Sequence, residues 1–337
     1  MVAAFTSTGR GECIVFSNDN GKTWQEYEKN PVVKHAGRDP RLLWHEPTKK
    51  WIMAVYDEHA GSRWIAFYSS PNLKEWTFES RIDGFFECPD LFELPVADEP
   101  NKRMWVLYAA DGKYMLGDFD GKKFTPRAGK HQLWHGNFYA AQTFSNVPDG
   151  RRIQIGWGQE ITFPGMPFNQ QMTIPCELTL RKTTLGIQMF AEPVKEIESL
   201  RSKSKSWKEL TLNNKEETLI KDAADLLDIR SEWELDVNQA PAPFGLVIHG
   251  RSVIYDDWQK ELSCLNLKAR LGLERLRVKI RVLVDRGSFQ VFGNDGRVAI
   301  STGVLPDGKD KSIKASSQGP VKLVSLEVSE LKSAWER

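Results

Sequence analysis

A repeat of about 50 residues runs through the first half of the chain and strongly limits the folds that it can adopt. Three similar segments begin at Arg38, Glu87 and Phe138, and each opens with a polar or ionisable cluster. Each segment then continues as a strand, a turn rich in Pro, Asp, Asn or Lys, and a second apolar strand. A fixed period of this length, with several short strands in each unit, predicts the blades of a β-propeller.

The same period predicts that certain side chains meet. The first strand of a propeller blade lines the central channel, so the spacing brings Asp39, Glu87 and Tyr139 to one pocket. Carboxylates on neighbouring inner strands suit the cleavage of glycosidic bonds, because one protonates the leaving oxygen while another attacks the anomeric carbon or activates water. Glu87 is the candidate acid, since burial at the head of an inner strand favours a protonated carboxyl group.

The N-terminal segment fits the blade pattern only in part. Its three short strands, at residues 2–7, 12–17 and 24–27, correspond to the second, third and fourth strands of a unit, and the first strand has no counterpart. A blade without its inner strand leaves a sheet edge exposed, and propellers close with about four to eight blades. We therefore expect the chain to be the C-terminal part of a longer protein, and a partner that supplies the missing strands is the alternative.

The sequence changes character after Arg181, where the period ends. Residues 183–206 are first apolar and then charged and rich in Ser and Lys, which predicts a connector. Strands resume without the period, and their alternation and frequent turn signals predict a β-sandwich over residues 207–337. Its clearest hairpin signal lies at residues 282–301. The expected organisation is a partial propeller over residues 1–182, then the connector, then the sandwich.

The composition excludes several classes of function. The formal net charge is +1, so no bulk charge favours nucleic acid or an anionic membrane as a partner. No apolar run approaches the roughly 20 residues that span a bilayer, and the start of the sequence lacks a signal-peptide pattern. The four cysteines show no C-x-x-C spacing and the six histidines show no ligand spacing, so we expect free thiols and neither a metal site nor a cofactor.

An ordered set of motifs resembles glycoside hydrolase family 32, which contains invertases, levanases and inulinases. The motifs are R-D-P at 38–40, E-C-P-D-L-F at 87–92, F-Y-A-A-Q-T-F at 138–144, I-G-W at 155–157 and V-D-R-G-S-F-Q-V-F-x-N-D-G-R at 284–297. They extend over nearly the whole chain in the family's order and spacing. The resemblance implies an all-β fold, a five-bladed β-propeller followed by a C-terminal β-sandwich, of which this chain holds a part.

The resemblance also implies roles for individual residues. Glu87 would be the general acid/base, and Asp39 would bind the ring hydroxyls of fructose and stabilise the oxocarbenium-like transition state. Two alternatives remain open at this point: Cys88 as an inert buried thiol, and Trp157 as part of the core. Asn137 stands where many members carry Asp. The residues expected to bind substrate are Arg38, Cys88, Tyr139, Trp157 and Asn137.

One motif of the family has no counterpart here. Its nucleophile is an Asp in W-x-N-D-P-N-G, and the only N-D pairs of this sequence, Asn18-Asp19 and Asn294-Asp295, lie in a blade-edge turn and in the sandwich hairpin. With about 50 residues in each blade, the nucleophile would lie roughly 100 residues before Asp39. We therefore expect the chain by itself to be inactive or nearly so.

The resemblance implies the retaining hydrolysis of terminal β-fructosyl bonds, with a fructose-containing saccharide as the partner. Sucrose, levan and inulin all remain open as substrates, as do exo and endo action, the oligomeric state and the cellular location. A non-catalytic fructan-binding module, or a degenerate fragment, is the main alternative. A related propeller hydrolase that acts on arabinan or xylan is a third, and the C-terminal sandwich argues against it.

Overall fold

A computed structural model describes residues 1–305 and 308–335 and confirms the all-β prediction. The described chain divides into two compact units. Unit 1 comprises Met1–Gln132 and Ala140–Thr143, and unit 2 comprises Leu133–Tyr139 and the chain from Phe144 onward. The helices found in the described residues are two short 3-10 turns, Glu46–Thr48 and Lys195–Leu200, and neither is long or apolar enough to cross a membrane.

Unit 1 consists of antiparallel sheets in which strands that follow one another along the chain are paired, as in propeller blades. The first sheet has only three strands, β1-β2-β3, and the second has four, β4-β5-β6-β7. The strands β8, β9, β10 and β11 continue the same succession. The bounds are β1 (Val2–Ser7), β2 (Gly11–Phe16), β3 (Gln25–Glu26), β4 (Gly37–His45), β5 (Lys50–His59), β6 (Ser62–Ser70), β7 (Thr77–Asp83), β8 (Asp90–Val96), β9 (Glu99–Tyr108), β10 (Lys113–Phe119) and β11 (Phe124–Gln132).

Strand β5 shows why the blade sequences are apolar on both faces. Its central residues are fully buried, and they alternate between two hydrophobic clusters. Ile52, Ala54 and Tyr56 pack with Leu91 and other residues of the following sheet, while Met53 and Val55 pack on the opposite face with Val33. Because successive side chains point to opposite faces, a strand between two packed sheets must be apolar at every position.

Unit 2 contains a further blade-type group and two larger sheets. Strands β14, β15, β16 and β17 form the first group. Strand β13 begins at Tyr139 in unit 2, and its residues Ala140–Thr143 belong to unit 1. The larger sheets have the orders β12-β27-β26-β25-β20-β29-β18 and β19-β28-β21-β22-β23-β24, and their inner faces share one hydrophobic core. The sandwich prediction is thus confirmed.

The bounds in this part of the chain are β12 (Trp134–Gly136), β13 (Tyr139–Phe144), β14 (Ile153–Gly158), β15 (Gln171–Met172), β16 (Cys176–Thr183), β17 (Gly186–Pro193), β18 (Arg201–Leu212), β19 (Lys215–Ile220), β20 (Leu226–Glu234), β21 (Phe244–Ile248), β22 (Arg251–Asp256), β23 (Glu261–Cys264), β24 (Leu267–Arg270), β25 (Arg277–Asp285), β26 (Ser288–Gly293), β27 (Val298–Gly303), β28 (Ile313–Ser317) and β29 (Val321–Leu331). The predicted hairpin corresponds to β25, β26 and β27. In its second turn Asn294 and Asp295 have φ of 46° and 56°, which these residue types tolerate well.

The stretch at residues 183–206 differs from the predicted connector. It contains β17, which pairs with β16 along its whole length, and the first half of β18, which lies at the edge of the seven-stranded sheet. The Ser and Lys side chains of β18 are exposed, whereas Trp207 and Leu210 pack against the sandwich core. An edge strand tolerates such a polar sequence, and charged side chains there discourage pairing with other chains.

Candidate active site

The segments at the heads of the inner strands in unit 1 have an unusual backbone conformation. Asp39 lies in a β-bulge of β4, between Arg38 and Arg41, and has φ of 66°. Glu87 and Cys88, just before β8, have φ of 56° and 41°. Left-handed conformations at residues other than glycine are uncommon and concentrate at functional sites, and bulges turn side chains toward such sites.

Arg38 and Glu87 form an ion pair across these two segments. The Arg38 Nε donates to Glu87 Oε1 at 2.8 Å, and a terminal nitrogen of the same guanidinium donates to the same oxygen. The guanidinium carbon also lies 4.8 Å from the centroid of the Tyr56 ring. The hydrogen bond to Glu87 is the main cause that raises the pKa of Arg38. Two contacts of different kinds therefore orient this pair.

Asp39 and Cys88 are joined in the same way. The Cys88 backbone N–H donates to Asp39 Oδ2 at 3.1 Å, and the Cys88 thiol lies 3.6 Å from the same oxygen. Burial, and then the charge of Asp39, raise the pKa of Cys88 to about 12. The thiol is thus protonated at neutral pH and acts as a hydrogen-bond donor to Asp39 rather than as a nucleophile.

A second set of residues, Arg41, Asp90 and Thr143, lies further along the same strands. Asp90 is fully buried and pairs with the Arg41 Nε at 3.0 Å. Its other oxygen accepts hydrogen bonds from the backbone N–H of Thr143 at 2.9 Å and from the Thr143 hydroxyl at 2.7 Å. Arg41 also donates to the Thr143 carbonyl at 2.6 Å. These three side chains tie β4, β8 and β13 together directly beside the candidate site.

Sequence reasoning missed this second set although a signal was present. Arg41 follows Arg38 by the same three positions by which Asp90 follows Glu87, whereas Thr143 lies five positions after Phe138. The repeat that locates the candidate catalytic residues therefore also locates Arg41 and Asp90, but not Thr143.

The remaining candidate residues lie in unit 2. The rings of Tyr139 and Trp157 meet edge to face, with centroids 6.5 Å apart, and Trp157 is 36% exposed, so it does not belong to the core. Asn137 is held against β27: its backbone N–H donates to the Ser301 carbonyl at 2.7 Å, and its Oδ1 accepts from the Gly303 N–H at 3.0 Å. An Asp at position 137 could accept the same hydrogen bond from Gly303.

The described residues contain no group of three or more His, Cys, Asp and Glu side chains that could hold a metal ion. Unit 1 presents a pair of carboxylates, Asp39 and Glu87. Each accepts hydrogen bonds from the segment that carries the other carboxylate. Carboxylates oriented in this manner can exchange protons with a bound hydroxyl or glycosidic oxygen, and they can stabilise developing positive charge on a sugar ring.

Comparison with known proteins gives a consistent result along the chain. The family profile "Glycosyl hydrolases family 32 N-terminal domain" matches residues 2–193, and "Glycosyl hydrolases family 32 C terminal" matches residues 196–330. A levanase of Bacillus subtilis (strain 168) is 34% identical, with 99% of this chain and 57% of the levanase aligned. Invertase 2 of Saccharomyces cerevisiae is 30% identical over 58% of this chain and 41% of its own length. The chain thus spans little more than half of the levanase and less than half of the invertase.

The fold agrees with that of solved structures. The crystal structure of exo-inulinase from Aspergillus awamori superposes with a TM-score of 0.83 at 22% identity, covering 96% of this chain and 75% of the inulinase. Fructan 1-exohydrolase IIa from Cichorium intybus gives a TM-score of 0.84 at 17% identity, covering 99% of this chain and 81% of the other. The blade-type sheets therefore belong to a β-propeller that is followed by a β-sandwich.

Proposed function

The chain belongs to glycosyl hydrolase family 32, and on that basis we propose that its protein hydrolyses terminal β-fructosyl bonds of a fructose-containing saccharide. The observation that carries the proposal is the pair of hydrogen bonds between the two segments, in which Cys88 donates to Asp39 and Arg38 donates to Glu87. The names of its relatives, levanase and invertase, support fructosides as the substrate class.

The proposed chemistry assigns a role to each carboxylate. Glu87 protonates the glycosidic oxygen as the bond to the anomeric carbon breaks, and it later removes a proton from the water that hydrolyses the fructosyl intermediate. Asp39 accepts hydrogen bonds from the fructose hydroxyls and stabilises the positive charge that develops on the ring. In unit 1, Arg38 and Cys88 orient the two carboxylates, and for Tyr139, Trp157 and Asn137 we keep the substrate-binding role that the family resemblance implies.

The covalent step needs a carboxylate nucleophile, and residues 1–337 contain no W-x-N-D-P-N-G motif. Loss of a nucleophile lowers rates by several orders of magnitude. We therefore expect slow or undetectable release of fructose by the 337-residue chain alone. A small anion such as azide should accelerate cleavage, because it can attack the anomeric carbon in place of the missing carboxylate.

The test measures fructosyl transfer from sucrose, levan and inulin, with and without azide. Replacing Glu87 with Gln should lower the rate by roughly 10²- to 10⁴-fold, which is the range for removal of a general acid. Glu93→Gln is the matched control, because Glu93 lies on β8 and pairs only with the half-exposed Arg103 in the contacts described for it. Equal rates in the wild type and the Glu87→Gln variant would contradict the assignment.

A fructan-binding module is the second candidate, and the lack of the nucleophile motif favours it. The two candidates differ in a simple way. Calorimetric binding of levan or inulin oligosaccharides without any transfer, even to azide, would support the binding module. Azide-dependent transfer that requires Glu87 would support the hydrolase.

A further inference from the structure

We propose that His35 is a positioning residue for Asp39, acting through a buried chain of hydrogen bonds that ends on the Asp39 backbone. The inference rests on the proposed function, because it concerns how strongly Asp39 holds a fructosyl group. It adds a residue that makes no contact with the sugar and lies outside every motif by which the site was found. All of the residues involved belong to unit 1.

The chain of hydrogen bonds begins at His35. Its Nε2 lies 2.8 Å from Glu12 Oε1, and its Nδ1 lies 3.2 Å from Asp57 Oδ1. On the far side, Arg81 donates from Nε to the other oxygen of Asp57 at 2.6 Å. The side chains of His35, Glu12 and Asp57 are 4%, 0% and 2% exposed. Buried charges are retained only where such partners satisfy them.

The chain of hydrogen bonds continues from Glu12 to the candidate site. The Thr6 hydroxyl donates to Glu12 Oε2 at 2.9 Å, and the same hydroxyl oxygen accepts the backbone N–H of Asp39 at 2.9 Å. Asp39 is the bulge residue with a left-handed backbone, so this single hydrogen bond acts on a conformation that needs external support. His35 thus reaches Asp39 through Glu12 and Thr6.

The charges of the cluster balance only when the imidazole is protonated. Glu12 and Asp57 contribute two negative charges, and Arg81 contributes one positive charge, so an imidazolium brings the net charge to zero. Both ring nitrogens then donate to carboxylates. A neutral ring would turn one nitrogen lone pair toward a carboxylate oxygen, which is repulsive in a site of low dielectric constant. The geometry therefore favours the doubly protonated ring.

The titration of His35 follows from its neighbours. In the described residues the titratable or charged groups that face it are Glu12 on β2, Asp57 on β5 and Tyr68 on β6, whose ring centroid lies 6.4 Å away. Burial alone would lower the pKa of His35, but the hydrogen bonds and charges of Glu12 and Asp57 outweigh it, and the pKa is raised. Burial and the charge of Asp57 also raise the pKa of Tyr68, which is therefore neutral.

The direction of the effect can be stated. As the pH rises through the raised pKa of His35, the ring loses a proton and Glu12 loses its charged donor. The neutral ring turns one nitrogen lone pair toward a carboxylate oxygen, and that repulsion displaces the buried carboxylates, so Glu12 no longer holds the Thr6 hydroxyl in place and the support of the Asp39 backbone weakens. Affinity for a fructosyl group should accordingly be highest while His35 is protonated and should fall as the pH rises.

The experiment measures the affinity of the 337-residue chain for a levan-derived fructo-oligosaccharide by calorimetry, from about pH 5 to about pH 9, the range in which a perturbed histidine titrates. The titration of His35 is followed in parallel by NMR of labelled histidine. Thr6→Val removes the hydroxyl that joins Glu12 to Asp39, and Thr6→Ser, which keeps it, is the matched control. His35→Gln removes the titrating group and keeps a hydrogen-bond donor.

We expect Thr6→Val to weaken binding roughly three- to tenfold, as the loss of one hydrogen bond next to a charged group does. His35 should titrate in that variant as in the wild type, but the affinity should no longer follow it. Thr6→Ser should behave as the wild type, and His35→Gln should show no pH step. A purely structural role would lower stability in these variants without removing the pH step.

The possible failures are distinguishable. If the wild type binds, and Thr6→Val binds with the same affinity and the same pH profile, the positioning role is overturned and the proposed function stands. A His35 resonance that titrates at or below the ordinary histidine pKa would have the same consequence. No binding by the wild type at any pH would overturn the proposed function, and the positioning role with it.

Discussion

Asp39, Glu87 and Cys88 share a left-handed backbone conformation at the candidate site. Each holds a left-handed conformation without being glycine, at a cost of about 1–3 kcal/mol. The hydrogen bonds between the two segments, from Cys88 to Asp39 and from Arg38 to Glu87, offset that cost locally. The strained backbone and the side-chain contacts therefore stabilise each other, and neither is expected without the other.

Gly37 shows how closely the backbone is packed at this point. A Cβ atom there would lie 1.9 Å from the Tyr56 carbonyl oxygen and 2.6 Å from Cε1 of His35. We expect Gly37→Ala to destabilise unit 1 by roughly 3 kcal/mol, the upper end of the usual cost of overpacking, because backbone must move. Urea unfolding followed by tryptophan fluorescence measures the change.

Gly61→Ala is the control for that prediction. Gly61 has φ of 74° and no atom within 4 Å of its virtual Cβ, so only the conformational cost of about 1–2 kcal/mol applies. The histidine resonance of His35 should shift in Gly37→Ala and stay unchanged in Gly61→Ala. A Gly37→Ala variant that is no less stable than Gly61→Ala would contradict the close packing.

At the scale of elements, Arg41, Asp90 and Thr143 join the three inner strands β4, β8 and β13. The strands β4 and β8 follow one another at the period of the repeat, and Asp90 sits at the first position of β8 with no exposed surface. A buried carboxylate in that position needs hydrogen-bonding partners. They come from other strands, because the adjacent side chains of its own strand point to the opposite face of the sheet. The ion pair therefore holds the strands whose ends carry the candidate catalytic residues.

Removing Arg41 should show this dependence. Arg41→Ala leaves Asp90 buried without its cation, so we expect a loss of about 3–5 kcal/mol in the free energy of unfolding. Arg127→Ala is the control, since its pair with Asp118 on β10 is largely exposed and contributes about 0–1 kcal/mol. Urea unfolding at neutral pH measures both, and equal losses in the two variants would contradict a structural role for the buried pair.

At the scale of the whole molecule, stability should depend on pH through histidines that shift in opposite directions. The raised pKa of His35 means that the folded state binds its proton more tightly than the unfolded state. The contribution of His35 to the free energy of unfolding is complete below about pH 6.5, the pKa of histidine in the unfolded state. It is lost as the pH rises through the pKa of His35 in the folded state. Burial lowers the pKa of four others, which act in the opposite sense: His45, His131, His135 and His249.

The difference between the wild type and His35→Gln isolates the first effect. We expect the stability advantage of the wild type to shrink with rising pH, by at most about 1.4 kcal/mol per pH unit for one proton. Chemical unfolding at a series of pH values gives this difference directly. A stability difference that stays constant would mean that folding leaves the pKa of His35 unchanged, and one that grows with pH would mean that folding lowers it; either result would contradict the raised pKa.

Much of the architecture was predictable because it is local and periodic. The four strands β4 to β7 and the alternation in the sandwich follow from short-range patterns of apolar residues and turns, and the register of Asp39 and Glu87 follows from the repeat. The edge strand β18 was not predictable in this way. Its outer face is so polar that its sequence is typical of a linker, and only pairing with β29 makes it a strand.

The sequence by itself determined the fold class, the family and the positions at which the candidate carboxylates stand, since a repeat and a set of motifs are properties of order along a chain. The tertiary structure alone decided that Cys88 donates to Asp39, that Asp90 joins Arg41 to Thr143, and that His35 lies between Glu12 and Asp57. The partners are distant in sequence, and although Asp39 and Cys88 stand one repeat apart, Glu12, His35 and Asp57 follow no such spacing. Hydrogen bonds between them depend on the final positions of several strands, which are established only when the sheets pack.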